Sequence, residues 1–242
     1  MENTLGSKPT QRPEAIETIL ESLERYNSES IPVLEAYVTK QASEGFNDIA
    51  ANLALLKHYQ FSVRAAKDDI ILSVLSMALV KFYTSDFTSA LHLLPSFVLT
   101  LENPPNDSLA QQTQKLYHLY TLLDSARYTE FWSTFESDDS YADIVADVSG
   151  FEDELRLSIA KTVEVSSKQI AVPVFQDWSN LSESKFTKWI EDTLHWVIKD
   201  KSVIVPVNKD NDPKVTITTE NIRFDQLSRI IKRAYELEQP VN

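Results

Sequence analysis

Arg25-Tyr26-Asn27, Leu34-Glu35-Ala36-Tyr37-Val38, Gln41-Ala42 and Asn52-Leu53-Ala54-Leu55-Leu56-Lys57-His58-Tyr59-Gln60-Phe61 mark out residues 25–61. Ile16, Ile19, Leu20 and Leu23 before this stretch, Leu34 and Val38 within it, and Ile49, Leu53 and Leu56 toward its end recur at intervals of three and four. Each segment is therefore an amphipathic helix with one face to bury. Three such helices on short links pack side by side as a stack. The stretch reads as scaffold and holds no chemistry.

Composition extends this reading to the whole chain. With 242 residues, 43% of them hydrophobic, there is enough apolar material for a real core. Glycine occurs only 3 times, against an average usage of about 7%, and the Gly-containing dipeptides of tight hairpins are scarce. A mostly helical fold follows. The absence of cysteine removes disulfides, thiolate nucleophiles and Cys-based zinc sites together, and suits an intracellular protein. Met1 to Arg12 is polar, without the apolar core of a secretory signal, so the expected location is the cytoplasm. The most apolar run, Ile70 to Val80, is shorter than the roughly 20 residues a membrane span needs and predicts a helix buried on nearly all sides.

The net charge of −13 is unevenly placed: residues 1–165 hold 12 Lys/Arg and 25 Asp/Glu, whereas residues 166–242 hold 11 of each. An acidic surface repels phosphate backbones, which argues against nucleic-acid binding by the first part.

Residues 1–12 read as a flexible lead, and Pro13 and Glu14 suit a first helical turn. Further helices are expected from about Ser30, Asn47, Ala66, Ser85, Asp107, Tyr128, Ser140 and Gly150, with Ser30, Asn47, Ser85 and Asp107 as N-caps. Pro104-Pro105 makes a firm break. Eight or nine helices in series over residues 13–165 suggest a short helical-repeat (HEAT/TPR-like) stack, although no strict repeat period is present.

The texture changes near Val163. A short helix is expected from Ser166 to about Trp178, then a second that begins at Leu181-Ser182-Glu183 and places Phe186, Trp189, Ile190 and Leu194 on one face. Trp196-Val197-Ile198 and Ser202-Val203-Ile204-Val205 flank Lys199-Asp200-Lys201 as a small β-hairpin. Asn208 to Pro213 is a polar loop, Val215 to Thr218 suits a strand, and a final helix starts near Phe224. Helix, helix, hairpin is the order of a winged helix, here over residues 166–242.

The motifs of residues 25–61, followed by Asp86-Phe87-Thr88, Phe131-Trp132, Gly150-Phe151-Glu152-Asp153, Leu181-Ser182 with Trp189, and Phe224-Asp225, resemble in the same order the landmarks of the subunit k family of eukaryotic translation initiation factor 3. The resemblance spans about Arg25 to Ile231. It implies a helical-repeat domain followed by a winged helix, kinship with small subunits of the proteasome lid and the signalosome, and a non-enzymatic scaffold in the factor that sits on the small ribosomal subunit. The implied partners are sister subunits, with the ribosome met mainly indirectly. Residues 1–12 and the Asn208–Pro213 loop are longer than that pattern, and Asn103 to Leu116 does not match it.

The chemistry-bearing residues fit no catalytic constellation. His58, His92, His118 and His195 stand alone, with none at the spacing that puts two ligands on one helix face. His58, near a helix end, reads as a C-terminal cap. Asp68-Asp69, Asp138-Asp139 and Glu152-Asp153-Glu154 sit at predicted helix starts, where negative charge meets the dipole. Gly6, Gly45 and Gly150 are too dispersed for a phosphate loop or nucleophile elbow. Tyr117, Tyr120, Tyr128, Phe131, Trp132 and Phe135 read as core filling rather than a binding cage. No cofactor, metal, small-molecule substrate or membrane contact is expected. The helix from Glu183 to Leu194 carries Lys185 and Lys188 against Glu183, Glu191 and Asp192, which disfavours DNA.

Contacts with partner proteins are expected at two places. Phe224, Leu227, Ile231 and Ala234 form an apolar stripe, with Ile230, Tyr235 and Leu237 beside or behind it, so the last helix has more than one face to bury. The hairpin strands, with Val203, Ile204 and Val205 as the candidate contact residues, offer an open edge to which a neighbour adds a strand.

Overall fold

The computed structural model describes residues 8–61, 66–106, 108–212 and 224–237, with side chains from 227 to 234 in the last stretch. The described residues are mainly helical, with one small three-stranded sheet. In chain order the helices of the first part are α1 (Glu14–Glu21), α2 (Ile31–Glu44), α3 (Ile49–Phe61), α4 (Asp68–Val80), α5 (Asp86–Leu91), α6 (Phe97–Thr100), α7 (Leu109–Asp124), α8 (Tyr128–Phe135), α9 (Asp139–Val145) and α10 (Phe151–Ser166).

Helix α1 starts where the sequence places it: Pro13 is extended, and Glu14 and Glu17 put negative charge beside the free N–H groups of the first turn. The end of the expected lead is tied down. The Arg12 guanidinium donates to both oxygens of Asp48 at 2.7 Å, and the Tyr37 hydroxyl donates to the same carboxylate. Gln41 accepts from the Asp48 N–H and exchanges hydrogen bonds with Asn52, so a buried polar network joins the entering chain to α2 and α3. Residues 1–7 of that lead lie outside the described residues.

Most expected helix starts agree with the structure, but the capping groups differ. Ser30 follows two short 3-10 turns and already has helical angles, so its hydroxyl donates back to the Asn27 and Glu24 carbonyls. Ser85 likewise makes no side-chain cap. Ser108 caps α7 through the Gln111 N–H, in the role expected of Asp107, which itself lies outside the described residues. Asp48, not Asn47, faces the first turn of α3. Gly45 ends α2 at φ +70, and a Cβ there would meet the Ser149 carbonyl oxygen at 3.1 Å.

The apolar run Ile70 to Val80 is buried throughout, and α4 packs against α2, α5, α7, α9 and α10. At about 25 cal/mol per Å² of apolar area removed from water, a helix covered on all sides is a principal source of stability. The aromatic group fills the same core. Tyr128, Phe131, Trp132 and Phe135 are buried, and Tyr120 stacks on Phe87 at 4.6 Å, but Tyr117 is exposed.

Beyond α10 the structure departs from the expected helix at Ser166. Gln169–Ala171 is a strand, β1, and the next helix, α11 (Val172–Ser179), starts only after it. Three residues are too few to show alternation, and their conformation is set by pairing with a strand thirty residues on. Helix α12 (Glu183–Lys188) runs into a π-helical turn at Trp189–Thr193, followed by β2 (Val197–Lys199) and β3 (Ser202–Ile204). The sheet order is β1-β3-β2, antiparallel throughout, with Val203 opposite both Ile170 and Ile198. Asp200 at φ 48 and Lys201 at φ 67 make the two-residue hairpin turn in the left-handed region without a glycine. Phe175 meets the rings of Phe186, Trp189 and Trp196 at 5.6–5.7 Å, and Ile190, Val203 and Val205 are buried in the same core.

The chain divides into two compact units, Met1–Asn211 and Asp212–Asn242. Helix α13 (Phe224–Leu237) is the element described in the second, and it covers the region where a final helix is expected. The strand expected at Val215 to Thr218 lies outside the described residues.

Candidate interaction surfaces

In α13, Leu227, Ile230, Ile231 and Ala234 follow the i, i+3, i+4, i+7 pattern of one helix face, and all four are exposed. Arg229, Lys232 and Arg233, also exposed, fall on the other side by the same geometry. Tyr235 and Leu237 belong to the helix, but their side chains lie outside the described residues. A helix of this kind has an apolar face suited to burial against another helix.

Of the hairpin strands expected to offer an edge, β2 keeps one and β3, which carries the named residues, does not. β3 is hydrogen-bonded on both sides, so an added strand has no place on it, and the outer strands are β1 and β2. Alternation along β3 turns Val203 inward, and Val205 just beyond it is also buried, at 0% and 1% exposed, whereas Ile204 is 37% exposed. Val203 and Val205 are therefore core residues. Val197 on β2, 62% exposed, joins Ile204 as apolar surface on the sheet.

Within the first unit, the sheet region is fastened to the helices by polar contacts that sequence reading missed. A helix leaves its last four carbonyls without intrahelical partners. For α11 two of these are met by donors from other helices: Trp132 Nε1 donates to the Trp178 carbonyl at 2.8 Å, and Arg156 Nε donates to the Ser179 carbonyl at 2.9 Å. The Arg156 guanidinium also lies 5.0 Å over the Trp132 ring and pairs with Glu152 and Asp153 at 2.7 and 2.8 Å. Asn180, left-handed at φ 49, ends α11 and donates to Glu136 at 2.6 Å. A second fastening lies at the end of α10, where Asn208 and Asn211 donate to the Glu164 carbonyl at 2.8 and 3.1 Å. The polar loop is thus a capping device. No sequence motif links these donors to carbonyls some twenty to fifty residues away.

Of the candidate chemical residues, His58, His92, His195 and Asp138 make local hydrogen bonds. His58 lies in the last turn of α3, as expected, but it is buried, with Nε2 3.5 Å from the hydroxyl of Ser30 in the 3-10 turn before α2. His92 Nδ1 faces the Thr88 carbonyl and His195 Nδ1 faces that of Glu191. Among the described residues no three His, Asp or Glu side chains are grouped to hold a metal ion. No helix among them is long and apolar enough to cross a membrane. Asp138 caps α9, and hydrogen bonds from Ser140, then Lys115, hold its carboxyl down at about 2 against an ordinary 3.8.

The first-unit sheet, its helical supports and most of the helical core fall within residues 65–216, and these residues match the family model described as CSN8/PSMD8/EIF3K. The chain belongs to this family. Relatives carrying the name eukaryotic translation initiation factor 3 subunit K resemble it over nearly their whole length. The protein from Yarrowia lipolytica is 50% identical over 236 residues, which is 97% of this chain and 100% of the relative. That from Sclerotinia sclerotiorum is 45% identical, covering 93% of this chain and 95% of its own. That from Aspergillus fumigatus is 38% identical with the same shares, 93% and 95%. In the CSN8/PSMD8/EIF3K frame, Trp132, Arg156, Asn208 and Asn211 lie inside the matched segment, and α13 and residues 25–61 lie outside it.

Proposed function

We propose that the chain is a non-catalytic scaffold subunit of eukaryotic translation initiation factor 3, which acts in assembly of the initiation complex on the small ribosomal subunit through protein–protein contacts. The observation that carries this reading is the end-to-end similarity to relatives named as subunit K of that factor, 50% identical across 97% of this chain in one case. Residues 13–165 serve as a helical-repeat domain and residues 166–242 as a winged helix. The second assignment is supported by the order of β1, α11, α12 and the β2–β3 hairpin. The work is done by surface and not by reaction, as befits a set of histidines and carboxylates engaged in bracing and capping.

Its partners are sister subunits in the cytoplasm, reached through the apolar face of α13 at Leu227, Ile230 and Ile231, with Tyr235 and Leu237 on the same helix, and through Ile204 on the sheet. The ribosome is met mainly through those neighbours, and neither DNA nor a membrane is bound. Affinity purification of the chain from its native cells, followed by mass spectrometry, tests the proposal. Initiation-factor subunits are expected among the captured proteins. Capture of proteasome-lid or signalosome subunits in their place would refute it, and so would tight, steeply salt-dependent binding of short RNA or DNA as the sole activity.

A further inference from the structure

A groove of about 380 Å³ lies between the 3-10 turn Leu23–Tyr26 and the second half of α3, walled by Arg25, Tyr26, Leu53, Lys57, Phe61 and Leu93. Tyr26 and Phe61 on its walls are 72% and 73% exposed, and Leu23 in the same turn is 87% exposed. Scattered apolar side chains in water are ordinary, but two aromatic rings on one concavity, with a leucine close by in sequence, form a surface that gains from being covered. His58 at its edge is fixed beside Ser30, and Leu53 is half-buried against the core, so the floor is built in advance.

The electrostatics of this groove run against those of the chain. Residues 1–165 carry the whole excess of negative charge, yet among the described residues no carboxylate lines the groove, and Arg25 and Lys57 are exposed on it. Lys57 Nζ stands 5.0 Å over the Phe61 ring and donates to Gln60 Oε1 at 2.5 Å. Among the described residues, the ion pairs engage neither Arg25 nor Lys57. Two cations outside any of these ion pairs, beside exposed rings, suit a ligand with an apolar side chain flanked by carboxylates.

We propose that this groove docks a short acidic peptide segment of a partner protein, with an aromatic or branched apolar side chain between Tyr26 and Phe61 and carboxylates on Arg25 and Lys57. An RNA strand fits less well. It presents a phosphate at every nucleotide, and Glu24 and Glu29, exposed in the adjoining turns, repel a continuous phosphate track.

The test selects a display library of short random peptides on the full chain and on the double variant Arg25→Glu, Lys57→Glu, with Phe61→Ser as a second, uncharged variant. All three substituted side chains are exposed, and circular-dichroism melts check that the variants stay folded. The expected peptides carry Asp or Glu on either side of Phe, Tyr, Trp or Leu. By fluorescence anisotropy they bind the unsubstituted chain about ten-fold or more tighter than either variant, and they weaken as salt is raised. Failure to enrich any peptide, enrichment without acidic residues, or equal binding to chain and variants overturns the proposal. Oligouridine binding lost on charge reversal would make the groove an RNA site instead, and self-association lost in Phe61→Ser would make its occupant a second copy; either result also overturns it.

Discussion

Ser76 and Thr113 place hydroxyls in the core with no hydrogen-bond partner among the described residues, one in α4 and one in α7, each at 0% exposure. A buried polar group left unpaired costs on the order of 1–3 kcal/mol. Ser76→Ala and Thr113→Val are therefore expected to stabilise the chain, each by about 1 kcal/mol in urea denaturation, and a loss of stability would mean that the hydroxyls have partners in solution. Asp138 behaves in the opposite sense, because its charged form is the one the fold favours. Its folded pKa of about 2 lies below the ordinary 3.8, so its contribution to stability is present above the ordinary value and fades as pH falls from there toward 2. Carboxyl-carbon NMR titration should find the low value, and Ser140→Ala should move it back up. At this scale the sequence is readable where a residue's role is local. Asp138 at a helix start was legible; which of Val203, Ile204 and Val205 faces outward depends on what the sheet packs against, and all three looked alike.

Trp132 links three helices: it stands on α8, receives the Arg156 cation from α10 and closes a carbonyl of α11. Its replacement by alanine removes a large buried ring and orphans the Trp178 carbonyl together. Trp132→Ala is expected to cost roughly 3–5 kcal/mol by chemical denaturation, and Trp132→Phe less, with the unpaired carbonyl as the main loss. A near-neutral result for the alanine variant would remove Trp132 from the core. Element by element, the helices were legible because their starts carry Pro, Asp, Glu or Ser and their apolar positions recur with helical spacing. β1 was not, since Gln169-Ile170-Ala171 becomes a strand only when β3 arrives beside it. The hairpin was, even though its turn uses Asp200 and Lys201 where glycine is usual.

For the whole molecule, the proposed docking to sister subunits falls on α13 in the second unit. Leu227 and Ile231 are exposed at 44% and 51% within the second unit, so Leu227→Asp with Ile231→Asp is expected to leave the melting temperature of the isolated chain almost unchanged. The same pair should remove initiation-factor subunits from an affinity purification; their full retention would shift the docking surface off α13. Composition announced a helical scaffold at this scale, through scarce glycine and absent cysteine. It gave no sign of the reversed local charge at Arg25 and Lys57, because a net figure averages over distances that only the fold sets.

The fastening of α11 by Trp132 and Arg156, doubled by Asn208 and Asn211 at the end of α10, has a mechanical side. A link that relied on one strand of backbone would swivel and absorb a tug. Held at two separate points, the sheet region has less freedom to turn against the helices than a backbone link alone would leave it.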